Sequence, residues 1–232
     1  MYNTNSSIPR YLHIIWVGDE QKAPRNCIES WVKMNPTWKV QIWGNEHLNN
    51  IKWANQAHIN SLLNESQKNG KTERDLKIIF ASISDIMRYE ILNSAGGFYV
   101  DADSFCIKPL EDWLFDSDFC ASHENETIRP NLIANGYFAS VPNHPILHEL
   151  MKVIRNTKNI LDDEAWIKTG PKIFTEAIQM LRCAHELTLW PSHYFIPEHY
   201  TGTQYTGHGH VFCRHFWGSH IPYSEIQKIG QI

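Results

Sequence analysis

Ser84 to Asp103 read SDIMRYEILNSAGGFYVDAD. Apolar residues at Ile79, Ile83, Ile86, Met87 and Ile91 recur on one helical face and predict an amphipathic helix from about Leu76 to Ser94. Gly96-Gly97 stops that helix. Phe98 to Val100 is then a strand just long enough to deliver Asp101. Helix, glycine pair and strand in this order predict an open α/β sheet, whose ligands gather at the carboxyl edge of the strands. Asp85 and Arg88 lie three apart on the helix and off its apolar stripe. Asp101 and Asp103 lie at the strand's carboxyl end.

The pair D-x-D is common by itself. The chain holds a second copy, Asp116 and Asp118, after Trp113-Leu114-Phe115, and that copy reads as a solvated turn. Context separates the first copy from the second. Alternate residues at a strand end splay to one side, so Asp101 and Asp103 can face one cation. Mn²⁺ and Mg²⁺ prefer carboxylate oxygens and complete their shell with phosphate and water. The expectation is a metal-held diphosphate. The plain alternative for Asp85 and Arg88 is an ion pair along the helix. Beside the D-x-D they read as ligand contacts, the carboxylate accepting from sugar hydroxyls and the guanidinium forking onto phosphate or hydroxyl oxygens. Trp16, at the end of the first strand, reads either as core or as a ring stacked on a nucleobase, a contact worth on the order of 1–3 kcal/mol. His208, His210, His215 and His220 read either as ordinary loop histidines or as the source of a third protein ligand for the D-x-D metal, for which His215 is the expected residue. No cysteine partner or metalloprotease spacing supports zinc.

Outward from this centre, Leu12–Val17 (LHIIWV) reads as a buried first strand and Pro24 opens a helix that ends before Asn35-Pro36. Trp38–Trp43 alternates as a second strand. Asn45 to Lys77 reads as polar helical pieces. Phe105–Ile107, Asp118–His123 and Leu132–Ser140 are strand-like, and helices are predicted from Pro145 to about Arg155 and from Gly170-Pro171 to about Cys183. Tyr200 to His220, rich in Gly, His and aromatics, reads as a functional loop. The 232 residues carry a net charge of −4, which argues against a nucleic-acid binder resting on phosphate contacts. Five cysteines, an odd number without C-x-x-C, fit a reduced setting. No signal peptide is read, and no apolar run approaches the ~18 residues of a transmembrane helix. The expectation is a cytoplasmic protein of one domain, 1–232, with a nucleotide-binding part at about 8–110 and an acceptor-side part at about 111–220.

The opening IPRYLHIIWVG and the central SDIMRYEILNSAGGFYVDAD resemble the IPKxIHxxWxG and S-D-x-x-R-Y-x-x-L-x-x-x-G-G-x-Y-x-D-x-D stretches of glycosyltransferase family 32. Both are also similar to the glucosyltransferase domain of large clostridial toxins. NGYFASVPNHPIL, TGPKIFTEAI and HFWGSH match more loosely. The family's usual S-W ending stands here as Ser219-His220. The resemblance implies an α/β fold of GT-A type: a Rossmann-like mixed central sheet flanked by helices. It implies a retaining hexosyltransferase using Mn²⁺ or Mg²⁺. By position, Ile15 and Trp16 would hold the base, and Ser84, Asp85 and Arg88 the donor sugar and phosphates. Tyr99 would lie by the nucleotide and Asp101 by the ribose or metal shell. Asp103 would ligate the metal, Asn135 and Gly136 would sit by the donor sugar or acceptor, and Ser219 would belong to the tail of the donor site.

A UDP-sugar (UDP-Glc, UDP-Gal or UDP-GalNAc) is favoured as donor, with GDP-mannose as the alternative. The expected acceptor is a glycan or lipid-linked glycan of a surface polysaccharide, met at the inner membrane face. A metal-dependent nucleotide-sugar hydrolase or a nucleotidyltransferase could share the diphosphate site; that no Gly-rich basic loop follows the first strand disfavours the nucleotidyltransferase, and the hydrolase stays as an alternative. A carbohydrate-binding module would have no need of the D-x-D. Paired carboxylates also serve glycosidases, yet Asp101 and Asp103 point to one metal rather than to two faces of a sugar. No G-x-S-x-G or P-loop is present.

Overall fold

The computed structural model describes residues 8–181 and 187–230. In chain order the elements are β1 (Tyr11–Ile15), α1 (Arg25–Met34), β2 (Lys39–Trp43), α2 (His47–Asn50), α3 (Gln56–Ser66), α4 (Glu73–Ala95), β3 (Gly97–Val100) and β4 (Ser104–Cys106). They continue with β5 (Phe119–Asn125), β6 (Arg129–Ser140), α5 (Pro145–Asn156), α6 (Ala165–Lys168), α7 (Pro171–Leu181), β7 (Leu187–Trp190), β8 (Cys213–His215) and α8 (Tyr223–Ile226). The main sheet has six strands in the order β2-β1-β3-β6-β5-β7, and β4 pairs with β8 in a separate ribbon. β1 runs parallel to β2 and β3, β6 is antiparallel to β3 and β5, and β7 is parallel to β5. The expected mixed sheet flanked by helices is what the chain builds.

Side chains alternate across this sheet as a period of two requires. Tyr99, Phe119, Ala121 and Phe138 face α3, α4, α5 and α7 in one core. Phe98, Val100, Cys120, Tyr137 and Ala139 face the other way and pack with Leu12 and Ile14, with Trp31 of α1 and with Trp190, Phe195 and Phe212. The central helix starts earlier than its apolar stripe suggests. Thr72 caps it and Asp75 closes a capping box, so α4 begins at Glu73. It ends on Gly96, at φ 63°, where a side chain would strike Pro142 and the Ser140 carbonyl.

Boundaries elsewhere move by one to three residues, the most at β6, which starts at Arg129 rather than Leu132. The first strand closes at Ile15, leaving Trp16 beyond it, and Pro24 caps α1 rather than opening it. The predicted helix end near Cys183 falls outside the described residues. Cys27, Cys106, Cys120 and Cys213 are free and buried. Two strands have no counterpart in the sequence reading. β7 is short, and β8 lies inside the stretch expected to be a loop, with no alternation to betray it. Asp116 and Asp118 are exposed around the end of a 3-10 turn, as the second D-x-D was expected to be. Among the described residues no helix is long and apolar enough to cross a membrane.

Candidate active site

Because α4 runs antiparallel to β3, the face of α4 carrying Ser84, Asp85 and Arg88 comes back over the end of β3. Tyr99 points to that face and so does Asp101, two residues on. The Arg88 guanidinium lies 4.2 Å over the Tyr99 ring. Its Nη1 donates to the Asn135 carbonyl at 2.9 Å and lies 3.1 Å from Asp101 Oδ1. Nε and Nη2 donate to the Ser84 carbonyl and hydroxyl. Burial works against the charge on Arg88, but Tyr99, Asp101 and Asp85 outweigh it and raise its pKa. Arg88 is therefore a fixed cation behind the D-x-D.

Asp85 is committed to the protein. Its Oδ1 accepts from Asn135 Nδ2 at 2.7 Å, its Oδ2 from Thr169 Oγ1 at 2.8 Å, and Arg88 Nη2 stands 3.4 Å away. Burial raises its pKa, and Arg88, Thr169 and Asn135 pull the other way. The Asn135 amide also donates to the Tyr89 hydroxyl, which in turn donates to the Thr169 carbonyl. With side-chain exposures of 8% for Asp85 and 7% for Arg88, the pair first orders the pocket floor.

Asp101 is more open. The Tyr99 hydroxyl donates to its Oδ1 at 3.0 Å, and the Asp101 amide donates to the Gly136 carbonyl. A Cβ on Gly136 would come 2.2 Å from Asp101 Oδ2, so the carboxylate rests where only glycine leaves room. Ser104 Oγ donates to the Asp101 carbonyl and closes the turn that presents Asp103. Asp103 Oδ2 accepts the Gly218 amide at 2.5 Å. The register of β4 and β8 sets His215 opposite Ser104, and the Phe216 amide donates to the Asp103 carbonyl. His215 Nδ1 lies 2.8 Å from the Tyr137 hydroxyl and 3.9 Å from Asp103 Oδ1. One ligand atom each from Asp101, Asp103 and His215 lie within 4.8 Å of one another. Two carboxylates and an imidazole with that spacing suit a divalent cation of the Mn²⁺ kind.

The remaining predicted residues lie outside this cluster. Ile15 is buried in the α4-side core. Trp16 is half-buried, donates to the Asp19 carbonyl at 3.1 Å and meets the Tyr223 ring edge-on at 4.8 Å. Ser219 is exposed with its hydroxyl 2.9 Å from His220 Nδ1, one residue past the Gly218 amide that binds Asp103. His210 belongs elsewhere, against Lys108. A cleft of about 690 Å³ between α3, the start of α4 and Lys158–Glu164 includes none of these residues and is no part of this site. Thr169, Gly218, Tyr89, Tyr137 and Tyr223 escaped the sequence reading. Thr169 opens the quoted TGPK stretch, Gly218 falls within HFWGSH, Tyr89 is the tyrosine of S-D-x-x-R-Y and Tyr137 falls within NGYFASVPNHPIL; nothing local marks Tyr223.

Residues 21–120 match the family model described as "Glycosyltransferase sugar-binding region containing DXD motif". The matched span includes Asp85, Arg88, Asp101 and Asp103 and stops short of Asn135 and His215. An "Uncharacterized glycosyltransferase L373" of Acanthamoeba polyphaga mimivirus is 29% identical over 74% of this chain and 64% of its own length. "Inositol phosphoceramide mannosyltransferase 1" of Schizosaccharomyces pombe is 26% identical over 61% of this chain and 41% of its own. The chain thus spans less than two thirds of either curated relative. Among solved structures, the UDP-bound glycosyltransferase domain from the YGT toxin superposes with a TM-score of 0.52 at 10% identity, covering 80% of each chain. The fold is that of the GT-A glycosyltransferases.

Proposed function

We propose that this chain, whose residues 21–120 belong to the DXD-containing sugar-binding region of glycosyltransferases, is a retaining, metal-dependent hexosyltransferase. Its donor is a nucleotide sugar, UDP-linked, and its acceptor a glycan hydroxyl. One observation carries the reading: Asp101, Asp103 and His215 converge within 4.8 Å beside the buried Arg88. A nucleoside diphosphate needs a cation on its oxygens and fixed positive charge behind them. UDP in the related toxin domain supports the choice of nucleotide. The mannosyltransferase relative supports GDP-mannose as the second reading.

Asp101, Asp103 and His215 would hold Mn²⁺ or Mg²⁺, which when bound supplies Lewis-acid stabilisation of the departing diphosphate. Arg88 adds fixed charge there, and preorganised electrostatics of this kind is often the largest catalytic contribution. Trp16 offers its ring to the base beside Ile15, and Ser219 completes the donor pocket from the tail. Asp85 holds the Asn135 amide and the Thr169 hydroxyl, so Asn135 and Gly136 present an ordered edge to the donor sugar. Asp85 has both oxygens taken by Asn135 and Thr169, and Asp101 and Asp103 would be taken up by the cation, so none of the three is left as a nucleophile. That favours a front-face reaction, in which the acceptor hydroxyl attacks from the side the diphosphate leaves and a phosphate oxygen takes its proton. The whole chain would act as one domain, with about 8–110 serving the nucleotide and 111–220 the acceptor side, from which Asn135, Gly136, His215 and Ser219 reach back to the donor. Its setting would be cytoplasmic, at the inner membrane face, in surface polysaccharide synthesis.

The test is hydrolysis and transfer across a panel of UDP- and GDP-sugars, with Mn²⁺ and with chelator, in wild type and Asp103→Ala. Slow Mn²⁺-dependent release of one nucleoside diphosphate, lost in the variant, is the expected result. Release that ignores both chelator and substitution would overturn the reading.

A further inference from the structure

A wall of side chains leads away from the D-x-D site. At one end, a Cβ built on Gly170 would lie 2.8 Å from Trp166 Cα and 3.3 Å from Asp85 Oδ2, so Trp166 begins one residue's width from the pocket floor. At the other end, His215 meets Trp217 edge-on at 4.6 Å, and Trp217 meets Tyr200 at 5.1 Å. Arg129 joins the two ends. Its guanidinium lies 5.0 Å over the Trp166 ring and 6.0 Å over that of Tyr200, and its Nη2 donates to the Tyr200 hydroxyl at 2.9 Å.

Two features make this more than a patch of exposed aromatics. Arg129 is held from beneath by Glu124, whose carboxylate is 7% exposed and stands 3.4 Å from Arg129 Nε. The guanidinium is thereby fixed in place and its charge balanced, while 30% of the side chain stays open. The rings it touches are also open, Trp166 at 41% and Tyr200 at 38%. Arg129 covers one face of the Trp166 ring, and the exposed remainder of Trp166 next to this fixed, charge-balanced donor fork suits a neutral sugar, which packs C–H groups on the aromatic surface and its hydroxyls on the guanidinium.

We propose that Trp166, Arg129 and Tyr200 form an acceptor subsite for the ring of a neutral sugar, the terminal residue of the glycan that receives the transferred hexose. This rests on the glycosyltransferase reading above. The wall begins at Asp85 and ends at His215, so a sugar seated on it presents a hydroxyl toward the donor pocket between them. Tyr200, stacked on His220 at 4.1 Å, contributes its hydroxyl and the orientation of Arg129 rather than a free face. Trp166 supplies the platform.

Two measurements on the full chain test the subsite. The first is saturation-transfer NMR with methyl glycosides of glucose, galactose, mannose and N-acetylglucosamine, without donor or metal. At least one glycoside should be saturated by wild type, lose its signal in Trp166→Ala and Arg129→Ala, and regain it in Trp166→Phe. The second is the ratio of transfer to hydrolysis with Mn²⁺ and the hydrolysed nucleotide sugar, which should fall about tenfold or more in Trp166→Ala. That ratio does not depend on how much of the variant is folded. If no nucleotide sugar is consumed, the NMR result alone decides the subsite and the donor reading fails separately. Absence of glycoside saturation in wild type would overturn the subsite. So would an unchanged ratio in both Ala variants, or transfer to serine and threonine peptides in place of the glycosides.

Discussion

Asp101 leans on a residue with no side chain. Gly136 leaves its carboxylate room that a single methyl would take, at 2.2 Å from Oδ2. The obstacle is a side chain able to swing, so Gly136→Ala should fold normally and move the carboxylate. Displacing a reacting or ligand-holding group by about 1 Å costs roughly 100-fold in rate. We predict that Gly136→Ala loses Mn²⁺-dependent donor hydrolysis by about that factor with an unchanged melting temperature; unaltered turnover would show that Asp101 is not placed by this contact. At this scale the sequence was legible where the residue type itself carries chemistry. Asp101, Asp103, Arg88 and His215 were named from their type and spacing, and the structure gathers them. What spacing could not reveal is how far a side chain is already spent on the protein. Asp85 looks the same in sequence as Asp103, yet Asn135 and Thr169, 50 and 84 residues away, occupy both of its oxygens. Tyr223 is invisible in sequence for the same reason: only tertiary contact distinguishes it from other aromatics.

At the scale of elements, the helix that carries Ser84, Asp85 and Arg88 is fixed at both ends by polar contacts. At its start Thr72 Oγ1 accepts the Asp75 amide and Asp75 Oδ2 accepts the Thr72 amide. Thr72→Ala should cost about 1 kcal/mol in urea unfolding. A loss below the error of that measurement would mean the cap adds nothing. At its end the Gly96 carbonyl lies 2.9 Å from His13 Nε2 of β1, and His13 Nδ1 accepts Trp43 Nε1–H of β2 at 3.2 Å. Indole can only donate, so His13 is neutral with its proton on Nε2. Burial lowers its pKa to about 4, the Gly96 carbonyl resisting. A base whose pKa is lower in the folded state is protonated first in the unfolded chain. Its stabilisation is thus complete above pH 6.5 and is lost as pH falls from 6.5 toward 4. Between pH 7 and pH 5 this one group should remove about 2 kcal/mol of stability. His13→Gln should flatten that part of the stability–pH curve by up to one proton; an equal slope in both proteins would contradict the assignment. The sequence marked α4 and β3 clearly because a long apolar stripe ending in Gly-Gly has few alternatives. It missed β8 because three residues in a Gly- and His-rich stretch carry no period, and their strand exists only through pairing with β4.

Across the whole molecule, the site draws on both halves of the chain. Asp85 to Asp103 come from the segment that matches the sugar-binding region, while Asn135, Gly136, Thr169, His215 and Gly218 arrive from beyond it. The six-stranded sheet makes this possible by placing β6 antiparallel beside β3, which sets Tyr137 opposite Val100 and brings Asn135 and Gly136 level with the D-x-D. The tail returns across the other face through β8. One sheet edge therefore receives the candidate cation ligands, the fixed charge of Arg88 and the aromatic wall toward Trp166. The role proposed for Asp101, Asp103 and His215 is to hold, together, the cation that holds the diphosphate. Titration calorimetry of UDP binding, with Mn²⁺ and with chelator, in wild type and in Asp103→Ala, tests it most directly. Mn²⁺ should tighten UDP by about tenfold or more in wild type and leave the affinity of Asp103→Ala unchanged. Equal tightening in both proteins would place the cation elsewhere and contradict it.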